Sequence, residues 1–239
     1  MEKFIRKVSS ILSFTVIFFI SAAMYFNYKG FTLVDGKLVL VEQVAHAAAK
    51  NGIATVLPAD LHVNASDKYA IGSANAPFTI YEYSSLGCPH CADFHIDILP
   101  QLERDYVDQG LLRVIFVNFP LDKKSMKAAL MANCMNYDNY HAFLHTLFDR
   151  QRSWWLDTDD TRLLQYAAEY GLSYDEAQSC MHNDRIAQDI IADREEASKL
   201  LHLTGTPAFL ISGPDGNEII YGVTSYASLK QYLDSRMAQ

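Results

Sequence analysis

The chain has 239 residues, with 20 lysine and arginine side chains against 28 aspartate and glutamate side chains, so its formal net charge is −8. Half of the residues are hydrophobic and only 11 glycines and 7 prolines are present, which excludes a disordered or collagen-like chain. The acidic balance argues against a nucleic-acid-binding protein, because an acidic surface repels a polyanion. The sequence therefore predicts a folded protein of one large or two small domains, without nucleic acid among its partners.

The amino terminus has the pattern of a membrane-targeting helix. Three basic side chains within the first seven residues precede an uncharged apolar run over residues 8–26. Positive charges before such a run keep the amino terminus in the cytoplasm and direct the rest of the chain across the membrane. Two interpretations of residues 1–28 remain open: a signal anchor that stays in the inner membrane through residues 8–26, or a signal peptide removed after Ala23. Both predict a periplasmic or extracytoplasmic location, where disulfides persist.

Residues 29–65 are predicted to form an amino-terminal arm or linker. Residues 33–52 combine a short apolar run with helix-forming alanines, which end at the typical helix stop Asn51-Gly52. The segment from Leu57 to Pro77 is rich in turn-forming residues. We expect this segment to lead into a globular domain that begins at about residue 66.

Residues 78–119 have the pattern of a strand, a helix and a second strand. Residues 78–83 are β-branched and aromatic and predict the first strand. Apolar residues recur at helical spacing from Pro89 to Gln109, and Gly110 is a natural helix stop. Residues 112–119 form an apolar run that is typical of a buried strand.

Residues 123–203 contain amphipathic stretches with helix start signals, and they predict an all-helical block of four or five helices. Strand-forming residues return at 207–211 and 218–221, with a turn between them, and a last helix is expected from about Ser225. The expected architecture is an α/β domain, interrupted by an inserted helical domain at residues 123–203. The α/β domain is formed by residues 66–122 and 204–239.

The motif Cys88-Pro89-His90-Cys91 lies where the first predicted strand ends and the first predicted helix begins. A thiol at a helix N-terminus ionises more easily than a free cysteine, because backbone N–H groups and the helix dipole favour a thiolate. His90 is expected to add positive charge or a hydrogen bond, and Pro89 suits the first helical turn. Cys91 lies one turn further along and can reach Cys88 to form or resolve a disulfide. The motif therefore predicts a redox-active cysteine pair.

A CxxC motif can also be one half of a zinc site. The other two cysteines, Cys134 and Cys180, are single, whereas a zinc knuckle usually supplies a second close pair. Four histidines of the second half of the chain show no metal-ligand spacing: His141, His145, His182 and His202. The sequence therefore predicts no metal and no cofactor. An anchored, non-enzymatic zinc-binding module is kept as an alternative from another functional class.

Cys134 and Cys180 both fall in predicted helices of the inserted block, which suggests a structural disulfide in an oxidising compartment. Two buried thiols remain the alternative, because free cysteine is often a small core residue. Nearby aromatic side chains are predicted to belong to the helical core rather than to a ligand platform: Tyr140, Phe143, Phe148, Trp154 and Trp155.

With these features the sequence resembles the thioredoxin-fold disulfide oxidoreductases, and within them the DsbA-like thiol:disulfide interchange proteins. The resemblance covers residues 66–239 and depends on three features. They are the Cys-Pro-His-Cys motif, the helical block between the two halves of the fold, and Thr206-Pro207 after Gly205. The resemblance implies that Thr206 and Pro207 form the family's cis-proline loop, which packs against the active-site disulfide and pairs with the substrate backbone.

Glu82 lies six residues before Cys88 in the first predicted strand. By resemblance it corresponds to the buried acid that assists proton transfer at Cys91. A carboxylate in an otherwise apolar strand costs desolvation, which suits a group that takes up a proton. The alternative is that Glu82 points to solvent from an alternating strand.

The sequence thus predicts an extracytoplasmic thiol:disulfide oxidoreductase that donates a Cys88–Cys91 disulfide to reduced client proteins. By resemblance, a DsbB-like membrane reoxidase regenerates the disulfide. A disulfide isomerase or reductase of the same fold, dimerising through residues 33–65, is the alternative.

Overall fold

In a computed structural model of the protein, the structure describes residues 31–34, 37–40, 54–58, 61, 65, 70–222 and 225–238. The predicted membrane-targeting segment, with its cleavage site at Ala23, lies outside the described residues. The alanine-rich helix predicted before Asn51 lies outside them as well. Within the described ranges, no helix is both long and apolar enough to cross a membrane.

The chain divides into two units, Met1–Ala47 and Ala48–Gln239. The described part of the first unit is an antiparallel hairpin of β1 (Phe31–Val34) and β2 (Lys37–Leu40). The sequence analysis did not predict this hairpin. The Asp-Gly dipeptide between the two strands is a typical hairpin signal, but each strand has only four residues, which is too short for a clear alternating pattern.

The second unit contains a five-stranded sheet in the order β3-β7-β6-β4-β5. The central strand pairs are antiparallel, whereas β4 and β5 are parallel and are joined by a helical crossover. The strands are β3 (Thr55–Leu57), β4 (Phe78–Ser84), β5 (Leu112–Asn118), β6 (Ala208–Gly213) and β7 (Gly216–Tyr221).

Strand β3 lies within the range that the sequence analysis assigned to the arm, and it pairs with β7. The sheet therefore begins about ten residues before the predicted boundary at residue 66. Three residues carry too little periodicity to be recognised as a strand, and β3 gains its backbone hydrogen bonds only from the distant β7.

Helical turns continue from Pro89 to Val107 and are together called α1 here. This stretch alternates between α-helical and π-helical segments, namely Pro89–Asp93, Phe94–Ile98, Leu99–Leu102 and Glu103–Val107. Pro100 lacks an N–H donor and so removes a regular helical hydrogen bond, which accounts for the wider turns beside it.

Residues 123–203 are all described and form six helices, rather than the four or five predicted. Short breaks between the helices separate stretches that the sequence pattern merges, and side-chain caps such as Asp122 and the Ser173–Glu176 capping box define several starts. The helices are α2 (Lys123–Cys134), α3 (Tyr137–Asp149), α4 (Gln151–Trp155), α5 (Thr161–Glu169), α6 (Tyr174–Met181) and α7 (Asp184–Leu200). Ser225 caps the last helix, α8 (Tyr226–Met237).

The sheet has one apolar cluster on each face. One cluster packs α1 and α8 against β4, β5 and β6, and the other contains Ala197 of α7 together with Leu201 and Leu203. Side chains alternate along β4, so that Glu82 shares the α1 face with Phe78 and Ile80. The predicted α/β thioredoxin-like fold with an inserted helical domain is confirmed.

A third cluster forms the core of the inserted helices and also includes Cys88 and Cys91. Most of the aromatic side chains predicted to lie in this core are buried there, but the prediction was wrong for Trp155. Trp154 is 2% exposed, whereas Trp155 is 42% exposed. Adjacent residues on a helix point about 100° apart, so only one of the two indoles can face the core.

Candidate active site

The cysteine motif begins α1 directly after β4 and a short loop. Cys88 is the N-cap residue, with extended backbone angles of φ −83° and ψ 121°, and Pro89 occupies the first helical position. The Cys88 carbonyl accepts hydrogen bonds from the N–H groups of Cys91 and Ala92, at 3.1 and 3.2 Å. This geometry directs the free N–H groups of the first turn toward the Cys88 side chain.

Cys88 has the electrostatics of a reactive thiol. In its protonated form the thiol donates to the Thr206 carbonyl, which lies 3.4 Å from Cys88 Sγ. A hydrogen bond from the Cys91 thiol is the main reason that the pKa of Cys88 falls to about 5. The backbone N–H groups of Cys91 and His90 add to this effect, whereas burial opposes it. Cys88 is therefore a thiolate at neutral pH when the pair is reduced.

Cys91 has the opposite electrostatics. It is completely buried, and burial is the largest cause of a strongly raised pKa for its thiol. The hydrogen bond with Cys88 and the negative charge of Glu82 raise this pKa further. The reduced pair therefore holds one thiolate at Cys88 and one proton at Cys91. Both cysteines are free thiols in this structure.

His90 contributes differently from what the sequence suggested. Its side chain is 70% exposed and lies 3.4 Å from the Asp93 carboxylate, so the imidazole faces solvent. The part of His90 that lowers the pKa of Cys88 is its backbone N–H. His90 therefore lowers the pKa of Cys88 because its backbone N–H lies at the start of the helix, and not because of the charge of its side chain.

Thr206 and Pro207 lie opposite the cysteine pair. The Thr206–Pro207 peptide bond is cis, and the Pro207 carbonyl accepts a hydrogen bond from Gly222 at 2.8 Å. Pro207 is buried directly before β6. The loop therefore holds the Thr206 carbonyl at the Cys88 thiol.

Glu82 is completely buried, which excludes the solvent-facing alternative. Its Oε2 lies 3.1 Å from His95 Nε2. The ring is not aligned for a hydrogen bond, and neither carboxylate oxygen has a donor among the described residues. The sequence analysis missed His95. Its position four residues after Cys91, on the same helical face, is the signal that could have identified it.

Gln151 is a second residue that the sequence analysis missed. Its side-chain amide donates to the carbonyls of Leu86 and Cys88, at 2.7 and 2.9 Å. Gln151 begins α4 in the inserted domain, so this side chain connects that domain to the loop that carries Cys88. No local pattern marks such a residue, because the contact joins segments 63 residues apart.

Cys134 and Cys180 form a disulfide that joins the C-terminal end of α2 to α6. The described part of the chain contains no group of three or more His, Cys, Asp or Glu side chains arranged to bind a metal ion. The zinc-binding alternative therefore has no ligand set among these residues.

The fold and the cysteine pair define a class, which is a thioredoxin-like domain with a helical insertion and a CxxC motif at a helix N-terminus. A model of the thioredoxin family matches residues 64–235. The chain therefore belongs to the thioredoxin family, and its fold is that of the DsbA-like members.

Individual relatives agree with this assignment. A protein of Rickettsia conorii, to which its name ascribes protein-disulfide oxidoreductase activity, is 30% identical over 145 residues. The match covers 60% of this chain, and the chain spans only about half of that relative, 52% of its length. Disulfide bond formation protein D of Bacillus subtilis is 31% identical over 85 residues, which cover 34% of this chain and 38% of that protein.

Among solved structures, alpha-DsbA1 of Wolbachia pipientis is similar to this chain with a TM-score of 0.67 and 27% sequence identity. The similarity covers 75% of this chain and 95% of that one. The shared region therefore includes nearly the whole of the Wolbachia structure.

Proposed function

We propose that this protein is a thiol:disulfide oxidoreductase that donates the Cys88–Cys91 disulfide to reduced client proteins outside the cytoplasm. The observation that carries the proposal is the opposite titration of the two thiols, with Cys88 acidic and Cys91 buried and protonated. Such a pair is more stable when reduced, and a stabilised reduced form makes the disulfide a strong oxidant. The relatives' names and the amino-terminal targeting pattern support the same function and location.

The first chemical step takes place at Cys88, because this cysteine lies nearer to the surface than Cys91. A client thiolate forms a bond to Cys88 Sγ, the Cys88–Cys91 bond breaks, and the electron pair stays on Cys91. Because Cys91 is buried, its sulfur then takes up a proton, for which Glu82 is the proposed donor.

The second step releases the client. Another client thiolate attacks the client sulfur of the mixed disulfide, and Cys88 leaves as a thiolate. Hydrogen bonds from Cys91 and from the backbone of the first helical turn stabilise this leaving group. The client has then gained a disulfide and the pair has gained two electrons. A DsbB-like membrane reoxidase, expected from the resemblance, accepts these two electrons.

Thr206 and Pro207 are proposed to contact the client beside the disulfide. The Thr206 carbonyl lies 3.4 Å from Cys88 Sγ. In the disulfide form Cys88 has no proton to donate, so this carbonyl can accept a hydrogen bond from a client N–H. An extended client segment pairs through its main chain, which gives affinity with little sequence preference. This property suits an enzyme that acts on many unfolded proteins.

The test is the reduction potential of the Cys88/Cys91 pair in the full chain, measured by equilibration with glutathione. We expect a value above about −160 mV, closer to the oxidant DsbA at about −120 mV than to thioredoxin at about −270 mV. A value below about −220 mV would overturn the oxidase assignment in favour of the reductase or isomerase. Oxidative refolding of reduced ribonuclease A by the disulfide form, with Cys91→Ser as the inactive control, tests client donation directly.

A further inference from the structure

A buried acid and a buried histidine lie together beneath the cysteine pair. Glu82 is 0% exposed and His95 is 5% exposed, and His95 Nε2 lies 3.1 Å from Glu82 Oε2. Burying two ionisable groups side by side costs desolvation free energy, which suggests that the pair has a function. Both are close to Cys91, because Glu82 acts on its pKa and His95 lies one helical turn after it.

His95 connects this buried pair to a cleft. The cleft has a volume of about 120 Å³ and is bounded by α1, β5 and α3. Its polar lining consists of His95, Glu103, His141 and His145. His145 is exposed and Glu103 is half-buried, so the cleft reaches solvent at this end.

The imidazole of His95 is held between aromatic rings. It stacks on Phe148 of α3 with centroids 4.1 Å apart, and Phe116 of β5 lies at 5.1 Å. These contacts hold the ring with Nε2 toward Glu82, and His95 is also one of the residues that line the cleft. A histidine with two ring nitrogens can take up a proton on one side and release it on the other.

The cycle of the proposed oxidoreductase moves a proton at a site that water does not reach directly. Cys91 is 0% exposed, and so is Glu82. A proton given by Glu82 to the leaving Cys91 sulfur leaves a carboxylate charge buried beside the reduced pair, and such a charge is costly unless it is compensated. A route that brings a proton from solvent to Glu82 while Cys91 is protonated removes this cost.

We propose that His95 is a proton-relay residue, which transfers protons between buried Glu82 and the cleft lined by Glu103, His141 and His145. This inference rests on the proposed role of Glu82. During reduction of the pair, the Cys88–Cys91 bond breaks, Cys91 Sγ takes the Glu82 proton, and protonated His95 passes its proton to Glu82 in the same step. Neutral His95 then takes a proton from the cleft. During reoxidation each proton moves in the opposite direction.

The groups that face His95 are consistent with a relay. Glu82 faces it from β4, Glu103 from the same helix, and His141 and His145 from α3. Burial, and then the negative charge of Asp108, raises the pKa of Glu103, whereas His95 and His145 oppose this rise. Burial, and then the charge of His95, lowers the pKa of His141. The electrostatic coupling therefore extends from His95 to the exposed end of the cleft.

The experiment compares the rate at which dithiothreitol reduces the Cys88–Cys91 disulfide in the full chain from pH 5 to pH 9. We expect His95→Gln to slow the reduction by roughly tenfold or more near pH 6, because the proton for Cys91 arrives more slowly. The difference from the unmodified chain should shrink toward pH 9, where the solvent supplies far fewer protons to the relay. His182→Gln, which changes an exposed histidine of the same inserted domain, is the matched control and should behave as the unmodified chain.

Imidazole in the buffer separates proton transfer from a structural role. In His95→Ala the lost side chain enlarges the cleft, and added imidazole should restore much of the rate near pH 6. A rate loss that is equal at every pH and insensitive to imidazole would overturn the relay and leave His95 as a packing residue. An unchanged rate at every pH would overturn it as well. The dithiothreitol reaction does not require a protein client, so its outcome is independent of whether the chain oxidises clients.

Discussion

At the scale of single residues, the two cysteines differ because one lies at the start of a helix and the other lies inside a core. Cys88 receives hydrogen bonds from Cys91 and from backbone N–H groups, and their effect on its pKa exceeds that of its burial. Cys91 has the larger burial cost and faces the negative charge of Glu82. Three residues of separation are therefore enough to give opposite proton affinities.

We expect the rate of alkylation of Cys88 in the reduced chain to follow a titration with a midpoint near pH 5. Replacing Cys91 with alanine should move this midpoint upward, because the Cys91 thiol is the largest single donor to the thiolate. Iodoacetamide labelling followed by mass spectrometry measures both values. A midpoint near 8.5, the value of a free cysteine, would contradict the thiolate assignment.

The same shift makes the stability of the reduced protein depend on pH. The pKa of Cys88 is about 5 when folded and about 8.5 when unfolded, so the folded state binds fewer protons between these values. The stability contributed by the thiolate is fully present above about pH 8.5 and is lost as the pH falls through about 5. Folding raises the pKa of the Cys91 thiol. This group therefore lowers the free energy of unfolding, but only above the pKa that it has in the unfolded chain, about 8.5.

We therefore expect the free energy of unfolding of the reduced chain to contain a term that rises from pH 5 to pH 8. Its slope approaches at most about 1.4 kcal/mol per pH unit, the value for one proton. Urea denaturation under reducing conditions measures the term. Cys88→Ser removes the titrating group and is the control, so an equal slope in that variant would assign the pH dependence to other groups.

At the scale of elements, the loop between β4 and α1 is held in place by the inserted domain. Gln151 of α4 donates to two of its carbonyls, and Gly87 lies against Ser125 of α2 and Trp155 of α4. A Cβ atom at Gly87 would contact Ser125 Oγ and would lie 2.8 Å from Trp155 Nε1. The loop therefore has no space for a side chain at this position.

Gly87→Ala should lower the free energy of unfolding by about 1–3 kcal/mol, because the extra methyl group overpacks the contact with α2 and α4. The displacement should also reduce the rate of thiol exchange at Cys88, since Gly87 is the adjacent residue. Gly205→Ala is the matched control on the opposite side of the site, where no atom lies within 4 Å of the added Cβ. Equal effects of the two substitutions would show that close packing at Gly87 is not the cause.

At the scale of the whole molecule, the inserted helices and the active site share one apolar cluster. The Cys134–Cys180 disulfide closes a loop of 46 residues between α2 and α6 within that insertion. A crosslink over such a loop restricts the unfolded chain and so favours the folded state. It is therefore expected to stabilise the domain that supports the Cys88 loop.

Replacing both Cys134 and Cys180 with alanine should lower the free energy of unfolding by about 2–4 kcal/mol, the range for a disulfide over a loop of this length. Denaturant unfolding of the oxidised chain measures the loss. The pKa of Cys88 should remain near 5, because the groups that lower it do not include this disulfide. A stability equal to that of the unmodified chain would show that the disulfide constrains little.

The sequence by itself predicts the cysteine motif at a helix start and the strands and helix around it, because these features depend on residues that are neighbours in the chain. Cys-Pro-His-Cys after a β-branched strand places a thiol at a helix start, and a strand pattern resuming directly after Thr206-Pro207 predicts the return of the sheet. Alternation along residues 78–83 and helical periodicity after Pro89 are local properties, so the corresponding elements could be predicted.

Other features were decided only by the tertiary structure, because they depend on contacts between distant residues. The sequence left Glu82 either buried or exposed, and only the packing of α1 on β4 buries it against His95. Gln151 reaches the Cys88 loop across 63 residues. The His90 side chain turns to Asp93 and solvent, while its backbone N–H acts on Cys88. A single sequence records side-chain chemistry and local periodicity, whereas burial and electrostatic partners arise only when separate segments pack together.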